Sequence, residues 1–279
     1  MLEREKKIGE YILIEKIGHG GFGDVWLAEK RTPLSVSQFA LKFFRPAETN
    51  EFEIQTVQKE IETWQKLSGL PNVISVIEAD YAEDYIYIVS EYADGGSLQK
   101  WLAVNGGKAQ SIEQAVSIVL EILNGLEYLH RTGFIHRDIK PANILIRKGT
   151  FCLADFGVTR EIKTNSITQH TAGTYNYMPP EAFGKSPAVA PATDIWAVAV
   201  IFQELLTGKL PFSQSEIPSL MYSIIHGEPD EMLPNSCCRK GKIRILLPMA
   251  IISMSEILLT ISKSIKFTST SKLDFPASA

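Results

Sequence analysis

Apolar and polar residues alternate over much of the first ninety positions, which predicts a set of short β-strands. The predicted strands lie at residues 11–14, 25–28, 39–44, 73–79 and 85–89. One stretch breaks the alternation, because Val57, Ile61, Trp64 and Leu67 recur at the spacing of one helix face. Leu70-Pro71-Asn72 then ends that helix. The first part of the chain is therefore predicted to be a sheet with one helix.

The second part of the chain has mainly helical periodicity. Ser97 is a predicted N-cap for a short helix, and Ser111 with Gln114 forms a capping box for a helix that ends near His130. Apolar runs at 144–146 and 151–153 predict a hairpin, and 193–206 predicts an apolar helix that Gly208 ends. Another helix is predicted around residues 220–225. Together the patterns predict an α+β fold.

Composition and charge narrow the functional classes. The 279 residues are 45% hydrophobic and 22% charged, as in ordinary globular proteins, and the net charge of −4 gives no electrostatic case for nucleic acid. The three cysteines, Cys152, Cys237 and Cys238, form no disulfide framework or zinc motif, and the charged start of the chain has no signal-peptide core. These features favour a cytoplasmic protein.

Candidate catalytic groups are concentrated between residues 136 and 157. Asp138, Lys140 and Asn143 precede the predicted hairpin, and Asp155 follows it. Phosphoryl transfer requires a carboxylate that accepts the hydroxyl proton and oxygen ligands for Mg²⁺. The alternative is that these polar groups satisfy only local turn hydrogen bonds. The presence of both clusters in order favours the catalytic interpretation.

A glycine-rich stretch, Gly18-His19-Gly20-Gly21-Phe22-Gly23, lies between two predicted strands. Such spacing also occurs in dinucleotide-binding turns, but those continue directly into a helix. Here residues 25–28 predict a strand, which favours a strand-turn-strand flap over phosphates and disfavours an NAD-dependent oxidoreductase. A tight hairpin turn without a ligand is the third alternative.

The order of these motifs resembles that of a protein kinase catalytic domain over about residues 9–234, and specifically a serine/threonine kinase, because Lys140 and Gly173-Thr174 match that subgroup. The resemblance implies a two-lobed fold with an antiparallel sheet in the N-lobe and a helical C-lobe. It implies that Asp138 is the catalytic base, that Lys140 steadies the γ-phosphate, and that Asn143 and Asp155 hold Mg²⁺.

The resemblance also implies a set of ATP-binding residues. Glu60 is the expected partner of Lys42, Ser90 occupies the gatekeeper position, and residues 91–93 offer backbone groups to adenine, in a segment similar to the kinase hinge. The complete expected ATP site consists of Ile17, Gly18, Gly20, Gly23, Val25, Ala40, Lys42, Glu60, Ser90, Glu91, Ala93, Leu145 and Asp155.

Residues 158–181 resemble an activation segment that ends in Pro179-Pro180-Glu181. Phosphate on Ser166, Thr168 or Thr171 is expected to order this segment by pairing with Arg137. The resemblance also implies that Asp194 binds the backbone of the catalytic loop.

The predicted organisation is a lead-in at residues 1–10, an N-lobe and hinge at 11–93, an incomplete C-lobe at 94–234 and an atypical tail at 235–279. The tail has seven Lys and Arg against two Asp and Glu and lacks the arginine expected to pair with Glu181. A shifted reading frame, a divergent cap and an amphipathic membrane tail are the three alternatives, and the first is favoured. Its apolar stretch is too short for a membrane span.

The sequence thus predicts ATP- and Mg²⁺-dependent phosphorylation of Ser or Thr on protein substrates, without nucleic-acid or membrane partners. A non-catalytic nucleotide-binding pseudokinase is the alternative. A missing end of the C-lobe is expected to uncover Leu205, Leu206, Leu220 and Ile224, which predicts self-association and weak activity.

Overall fold

The computed structural model describes residues 2–20, 23–44, 62, 64–82, 85–155, 172–183 and 190–226, with the side chains of 19, 20 and 172–174 left out. The chain divides into two compact units, Met1–Trp101 with Pro141–Gln169, and Leu102–Lys140 with His170–Ala279. The first unit therefore contains residues 94–101 and the hairpin after residue 143, which the sequence analysis assigned to the C-lobe. No helix among the described residues is long and apolar enough to cross a membrane.

An antiparallel six-stranded sheet forms most of the first unit. Its strands are β1 (Lys7–Ile8), β2 (Tyr11–Gly20), β3 (Gly23–Thr32), β4 (Ser35–Phe44), β5 (Val76–Ala82) and β6 (Tyr85–Glu91), in the spatial order β1-β2-β3-β4-β6-β5. A separate two-stranded sheet pairs β7 (Ile144–Arg147) with β8 (Thr150–Leu153). Of the predicted helix around residues 57–67, Glu62 and residues 64–67 are helical, and the remainder lies outside the described residues.

The six-stranded sheet curls so that its first strands pack against its last ones. Ile8, Tyr11 and Leu13 share one core cluster with Phe43 and Tyr87. The Tyr11 hydroxyl is hydrogen-bonded to Glu78 of β5, and burial is the main reason that the pKa of Tyr11 is raised. Side chains from both edges of the sheet therefore cover the same apolar interior.

The predicted strand at residues 73–79 begins later, at Val76. The Trp64 indole donates to the Ile74 carbonyl at 2.9 Å, and the Ser68 hydroxyl accepts from the Val76 N–H at 2.9 Å. These bonds attach the backbone of residues 74–76 to the end of the preceding helix, so the ladder with β6 starts only at Val76. Periodicity alone could not detect this competition from side chains.

The second unit contains most of the helical structure. The helices of the described chain are α1 (Leu98–Val104, which spans the boundary between units), α2 (Ile112–Arg131), α3 (Pro191–Thr207) and α4 (Ile217–His226). Short 3₁₀ turns occupy Pro141–Asn143, Ala172–Tyr177 and Pro180–Phe183. The predicted apolar face of α2 is buried, and Gly208 ends α3 with a φ of 75°.

The capping of α2 differs in one detail from the predicted box. The Ser111 hydroxyl accepts from the Gln114 N–H at 3.2 Å, as expected of an N-cap. The Gln114 side chain, however, accepts from the N–H of Gln110 at 2.8 Å, one residue before the cap.

The predicted exposure of the α3 and α4 side chains is wrong. Leu205, Leu220 and Ile224 are buried and Leu206 is half-buried. Leu220 and Ile224 belong to a core cluster with Tyr175 and Phe212, which the 3₁₀ turn before Pro180 and the loop after α3 contribute. These positions therefore give no apolar driving force for self-association, since their cover lies within residues 175–224.

Candidate active site

The glycine-rich turn of the first unit joins two paired strands. Gly18 lies opposite Val25, and Gly20 lies opposite Gly23 in the β2–β3 register. The strand that follows the glycines confirms the strand-turn-strand arrangement and excludes a dinucleotide-binding turn. Gly23 has a φ of 138°, and a Cβ there would lie 1.7 Å from the Phe43 carbonyl oxygen. This position therefore requires glycine.

Lys42 lies on β4, opposite Val25 of β3 and Ile88 of β6. Its side chain is only 15% exposed, and Nζ forms an ion pair of 2.6 Å with Asp155 Oδ1. Glu60, its predicted partner, lies outside the described residues. The carboxylate paired with Lys42 in the described structure is thus the Asp155 that the sequence predicted as a metal ligand.

The hairpin β7–β8 brings Asn143 and Asp155 to the same end. Ile144 pairs with Leu153, and just beyond this pair the Ala154 N–H donates to the Asn143 carbonyl at 2.9 Å. Asn143 is buried at the end of a 3₁₀ turn, while Asp155 has a φ of 58°. A carboxylate and a carboxamide at one end of a hairpin are oxygen donors of the kind that Mg²⁺ accepts.

This donor set fits magnesium better than a dedicated protein cage for a metal. The described residues contain no group of three or more His, Cys, Asp and Glu that could hold an ion. Mg²⁺ is commonly bound by one or two protein side chains together with phosphate oxygens and water. Asn143 and Asp155 are therefore sufficient only in the presence of a phosphate ligand.

The predicted adenine-contacting residues lie on two neighbouring surfaces of the first unit. Leu145 and Ala93 pack in a small apolar cluster with Cys152, whose thiol is buried. Ala40 is paired with Ser90 across β4 and β6, and the Ser90 hydroxyl donates to the Ala40 carbonyl at 3.4 Å. Ile17 and Val25 are half-buried on β2 and β3.

In the second unit, Asp194 holds the loop that carries Asp138. Its carboxylate, 1% exposed, accepts the N–H groups of His136 at 2.9 Å and Arg137 at 2.8 Å. This confirms the predicted contact with the loop backbone. The carboxylate also contacts Nε2 of His130 at 2.7 Å, which the sequence analysis treated only as the end of a helix. Arg137 has a φ of 68°, so the carboxylate stabilises an unfavourable backbone conformation.

Asp138 and Lys140 form an ion pair within this loop. Lys140 Nζ lies 2.9 Å from Asp138 Oδ2, and both side chains are largely buried. The Asp138 N–H also lies 3.4 Å from Nδ1 of His136. The cation next to Asp138 favours its ionised form, which is the form needed to accept a proton.

The sequence analysis missed a buried contact between Tyr177 and Glu204. The Tyr177 hydroxyl donates to Glu204 Oε2 at 2.8 Å. Burial raises the pKa of Glu204, and the bond from Tyr177 lowers it in part. Burial also raises the pKa of Tyr177, with a further contribution from Glu204. Neither residue lies in a motif with a recognisable chemistry, so only the three-dimensional structure identifies the pair.

This pair predicts a specific loss of stability as pH rises. Because the pKa of Glu204 is higher in the folded than in the unfolded chain, the folded chain retains a proton above pH 4.5, the ordinary value of this group. Each pH unit within that interval costs about 1.4 kcal/mol. We expect Glu204→Gln to remove this contribution in melting curves recorded from pH 4.5 upward.

Tyr177→Phe provides the matched comparison, because it removes only the hydroxyl that favours the charged carboxylate. It is expected to raise the pKa of Glu204 further and to extend the unstable interval to higher pH. Parallel pH profiles for the wild type and Glu204→Gln would show that this carboxyl group does not control the effect.

Several predicted features lie outside the described residues. They include Ser166, Thr168 and Thr171, so ordering of the activation segment by phosphate remains a prediction. Glu181 is half-buried in the 3₁₀ turn Pro180–Phe183 and has no ion-pair partner within the described parts of the chain.

The curled antiparallel sheet, the glycine flap, the Lys42–Asp155 pair and the anchored Asp138 loop define the catalytic domain of a phosphotransferase. The chain belongs to the protein kinase family, since the family model for the protein kinase domain matches residues 11–257. The match extends past residue 234, where the resemblance recognised in the sequence ended.

Curated relatives carry serine/threonine kinase names. The chain is 31% identical over 220 residues to sperm motility kinase 2B of Mus musculus, covering 78% of this chain and 44% of the relative. It is 34% identical over 206 residues to the probable serine/threonine-protein kinase PknB of Lactococcus lactis, covering 72% and 32%. Serine/threonine protein kinase OSK3 of Oryza sativa is 33% identical over 218 residues, covering 78% and 42%. The chain spans less than half the length of these relatives.

Proposed function

We propose that this chain transfers the γ-phosphoryl group of ATP, with Mg²⁺, to Ser or Thr hydroxyls of protein substrates. The observation that carries the proposal is the position of Asn143 and Asp155 at one end of β7–β8, with Lys42 paired to Asp155. These residues provide two oxygen ligands and a cation, which are the protein groups that phosphoryl transfer requires.

Each half of the proposed reaction uses its own set of side chains. The backbone at Gly18, Gly20 and Gly23 can approach phosphate oxygens closely because it has no side chains, and Lys42 offers an ammonium group to them. Asn143 and Asp155 would hold the Mg²⁺, which neutralises phosphate charge when bound. Without nucleotide, Lys42 and Asp155 neutralise each other at 2.6 Å.

The acceptor half depends on the loop that Asp194 anchors. Asp138 would accept the proton of the attacking Ser or Thr hydroxyl, and Lys140 beside it would stabilise negative charge on the transferred group. The Lys140–Asp138 distance of 2.9 Å supports an ionised carboxylate in this position. The serine/threonine names of the relatives support the choice of acceptor.

The proposed adenine site lies between the residue pair Ala40–Ser90 and the apolar cluster that contains Leu145 and Ala93. Ser90 is a small side chain, so this position leaves space beside the base. We also propose a cytoplasmic location, because the buried Cys152 is a thiol and the sequence contains no disulfide framework.

The test of this function is incubation of the purified chain with Mg-ATP and casein, followed by phosphoamino-acid analysis. Phosphoserine or phosphothreonine is the expected product. Nucleotide binding without any product would instead favour the non-catalytic binding module, because that alternative retains the site but not the transfer.

Asp155→Asn tests the proposed metal ligand separately. Asparagine tolerates the positive φ of 58° at this position, so the substitution removes charge without imposing backbone strain. Loss of even an indirect metal contact commonly lowers metal affinity by about 10–100-fold. We therefore expect the gain in ATP affinity on adding Mg²⁺ to fall at least about tenfold in titration calorimetry.

The same titration in EDTA is the control for the nucleotide site itself. ATP without metal is expected to bind the wild type and Asp155→Asn with similar affinity, or slightly better to the variant because Lys42 gains freedom. A full Mg²⁺ effect in Asp155→Asn would contradict the assignment.

A further inference from the structure

The hinge segment, defined here as residues 90–96, is hydrogen-bonded along the hairpin β7–β8. The Gly95 N–H donates to the Ile146 carbonyl at 2.9 Å, and the Ile146 N–H donates to the Gly96 carbonyl at 2.8 Å. The Asp94 carboxylate accepts the Lys148 N–H at 2.7 Å. These bonds fix the C-terminal end of the hinge segment to β7.

The backbones approach so closely at this end that a side chain has no room. A Cβ built at Gly95 would lie 2.6 Å from Ile146 Cγ2 and 3.1 Å from the Ile146 carbonyl oxygen. Glycine at this position therefore permits the two hydrogen bonds. The C-terminal end of the hinge segment cannot move closer to β7.

An ion pair occupies the other end of the hinge segment. The Glu91 carboxylate accepts the Ser75 N–H at 3.0 Å and forms a short contact with the guanidinium group of Arg147. The Glu91 N–H in turn donates to the Ser75 carbonyl at 3.0 Å. Glu91 is therefore held by β7 through its side chain and by residue 75 through both its backbone and its side chain.

The ion pair also connects the two surfaces of the proposed adenine site. Side chains alternate along a strand, so Arg147 and Leu145 project from the same face of β7. Leu145 packs in the apolar cluster with Ala93, two residues after Glu91. The separation between the hinge segment and β7 at Glu91 thus sets the separation between Ala93 and Leu145.

We propose that Arg147 is a positioning residue for nucleotide binding, which acts by holding Glu91 and thereby fixing the spacing of the adenine site. This inference rests on the proposed ATP site but adds a residue that no kinase motif in the sequence identifies. Ordering a site before the ligand binds increases affinity, because less freedom is lost on binding.

The exposure of the pair separates a positioning role from a general stabilising one. The side chains of Arg147 and Glu91 are 27% and 33% exposed, so water screens part of their attraction. Their loss is expected to change the melting temperature little. Its main effect is expected on binding of the base.

The experiment compares MgATP, adenosine and magnesium tripolyphosphate as ligands of the full chain in titration calorimetry. Arg147→Ala is expected to weaken MgATP and adenosine by about tenfold and to leave tripolyphosphate within about twofold of the wild type. KM for ATP should rise by the same factor, with kcat at saturating ATP unchanged. Arg147→Lys should recover most of the affinity, since it retains the charge.

A double-mutant cycle tests whether Arg147 acts through Glu91. Glu91→Gln keeps an acceptor for the Ser75 N–H but cannot pair ionically, so Glu91→Gln with Arg147→Ala should be no weaker than either single variant. Arg131→Ala is the matched control, because it breaks an exposed Arg–Glu pair of α2 with Glu127. It should bind all three ligands like the wild type.

Three results would overturn the inference. Unchanged binding of MgATP by Arg147→Ala would show that the ion pair has no positioning role. Equal weakening of tripolyphosphate would show that Arg147 supplies only general positive charge, and a fall in kcat with a lower melting temperature would show a purely structural role. A wild type that binds ATP without transferring phosphate would contradict the proposed reaction while leaving this binding test intact.

Discussion

Replacement of Asp138 with alanine is expected to reduce phosphoryl transfer at saturating ATP by about 10²–10⁴-fold, which is the usual contribution of a positioned proton acceptor. Affinity for MgATP should remain close to that of the wild type. The carboxylate proposed to accept the proton contacts Lys140 Nζ at 2.9 Å, whereas the proposed metal ligands are Asn143 and Asp155. The change therefore removes the acceptor without removing a proposed metal ligand.

Asp138→Asn is the closest control in size. It retains the shape of the side chain and an oxygen that can accept from Lys140, but it cannot take a full proton from an alcohol. Rapid-quench measurement of product, with a separate ATP titration, would distinguish the two steps. A variant that transfers phosphate as fast as the wild type would remove Asp138 from the mechanism.

Loss of the Asp194 carboxylate is expected to have the largest effect on stability. Asp194→Ala would leave the N–H groups of His136 and Arg137 without their acceptor inside the second unit. Each buried unsatisfied group costs about 1–3 kcal/mol, so the free energy of unfolding should fall by roughly 2–6 kcal/mol. A domain typically has only about 5–15 kcal/mol of stability, so the loss is a large fraction.

The strained conformation of Arg137 adds to this expectation, because its φ of 68° persists only while the surrounding contacts hold it. Asp194→Asn keeps one acceptor oxygen and should lose less stability than Asp194→Ala. Urea unfolding of both variants measures the difference. If Asp194→Ala unfolds at the same urea concentration as the wild type, the carboxylate does not hold the loop.

The catalytic motifs could be predicted from sequence because their chemistry is local. Asp138 and Asn143 lie within one short stretch and Asp155 follows after one hairpin, so their order alone indicates a shared function. The strand after the glycine-rich turn was also predictable, since residues 25–28 have no helical periodicity. The structure confirms that strand and the contact of Asp194 with the loop backbone.

Contacts between distant single residues could not be predicted in the same way. Glu91 and Arg147 are 56 positions apart, and each is an ordinary charged residue in its own strand. Tyr177 and Glu204 belong to different elements, and burial of the carboxyl group depends on packing that periodicity does not report. These pairs are identified only when the chain is folded.

The predicted exposure of Leu220 and Ile224 failed for a related reason. Sequence analysis compared the chain with the usual family pattern and assumed that missing helices were their only cover. In the structure, Tyr175 and Phe212 pack against both side chains. Local segments between the helices provide that burial, so the expected instability does not follow from these residues.

Transfer of radiolabel from the γ-phosphate of ATP to casein, measured for the wild type and Asp138→Asn together, tests the central claim most directly. The assay contains Mg²⁺, and acid hydrolysis identifies the labelled amino acid. Phosphoserine or phosphothreonine is expected from the wild type, with at least about a hundredfold less from Asp138→Asn at equal nucleotide occupancy. Equal labelling by the two proteins, or none by a wild type that binds MgATP, would contradict the assignment as a serine/threonine kinase.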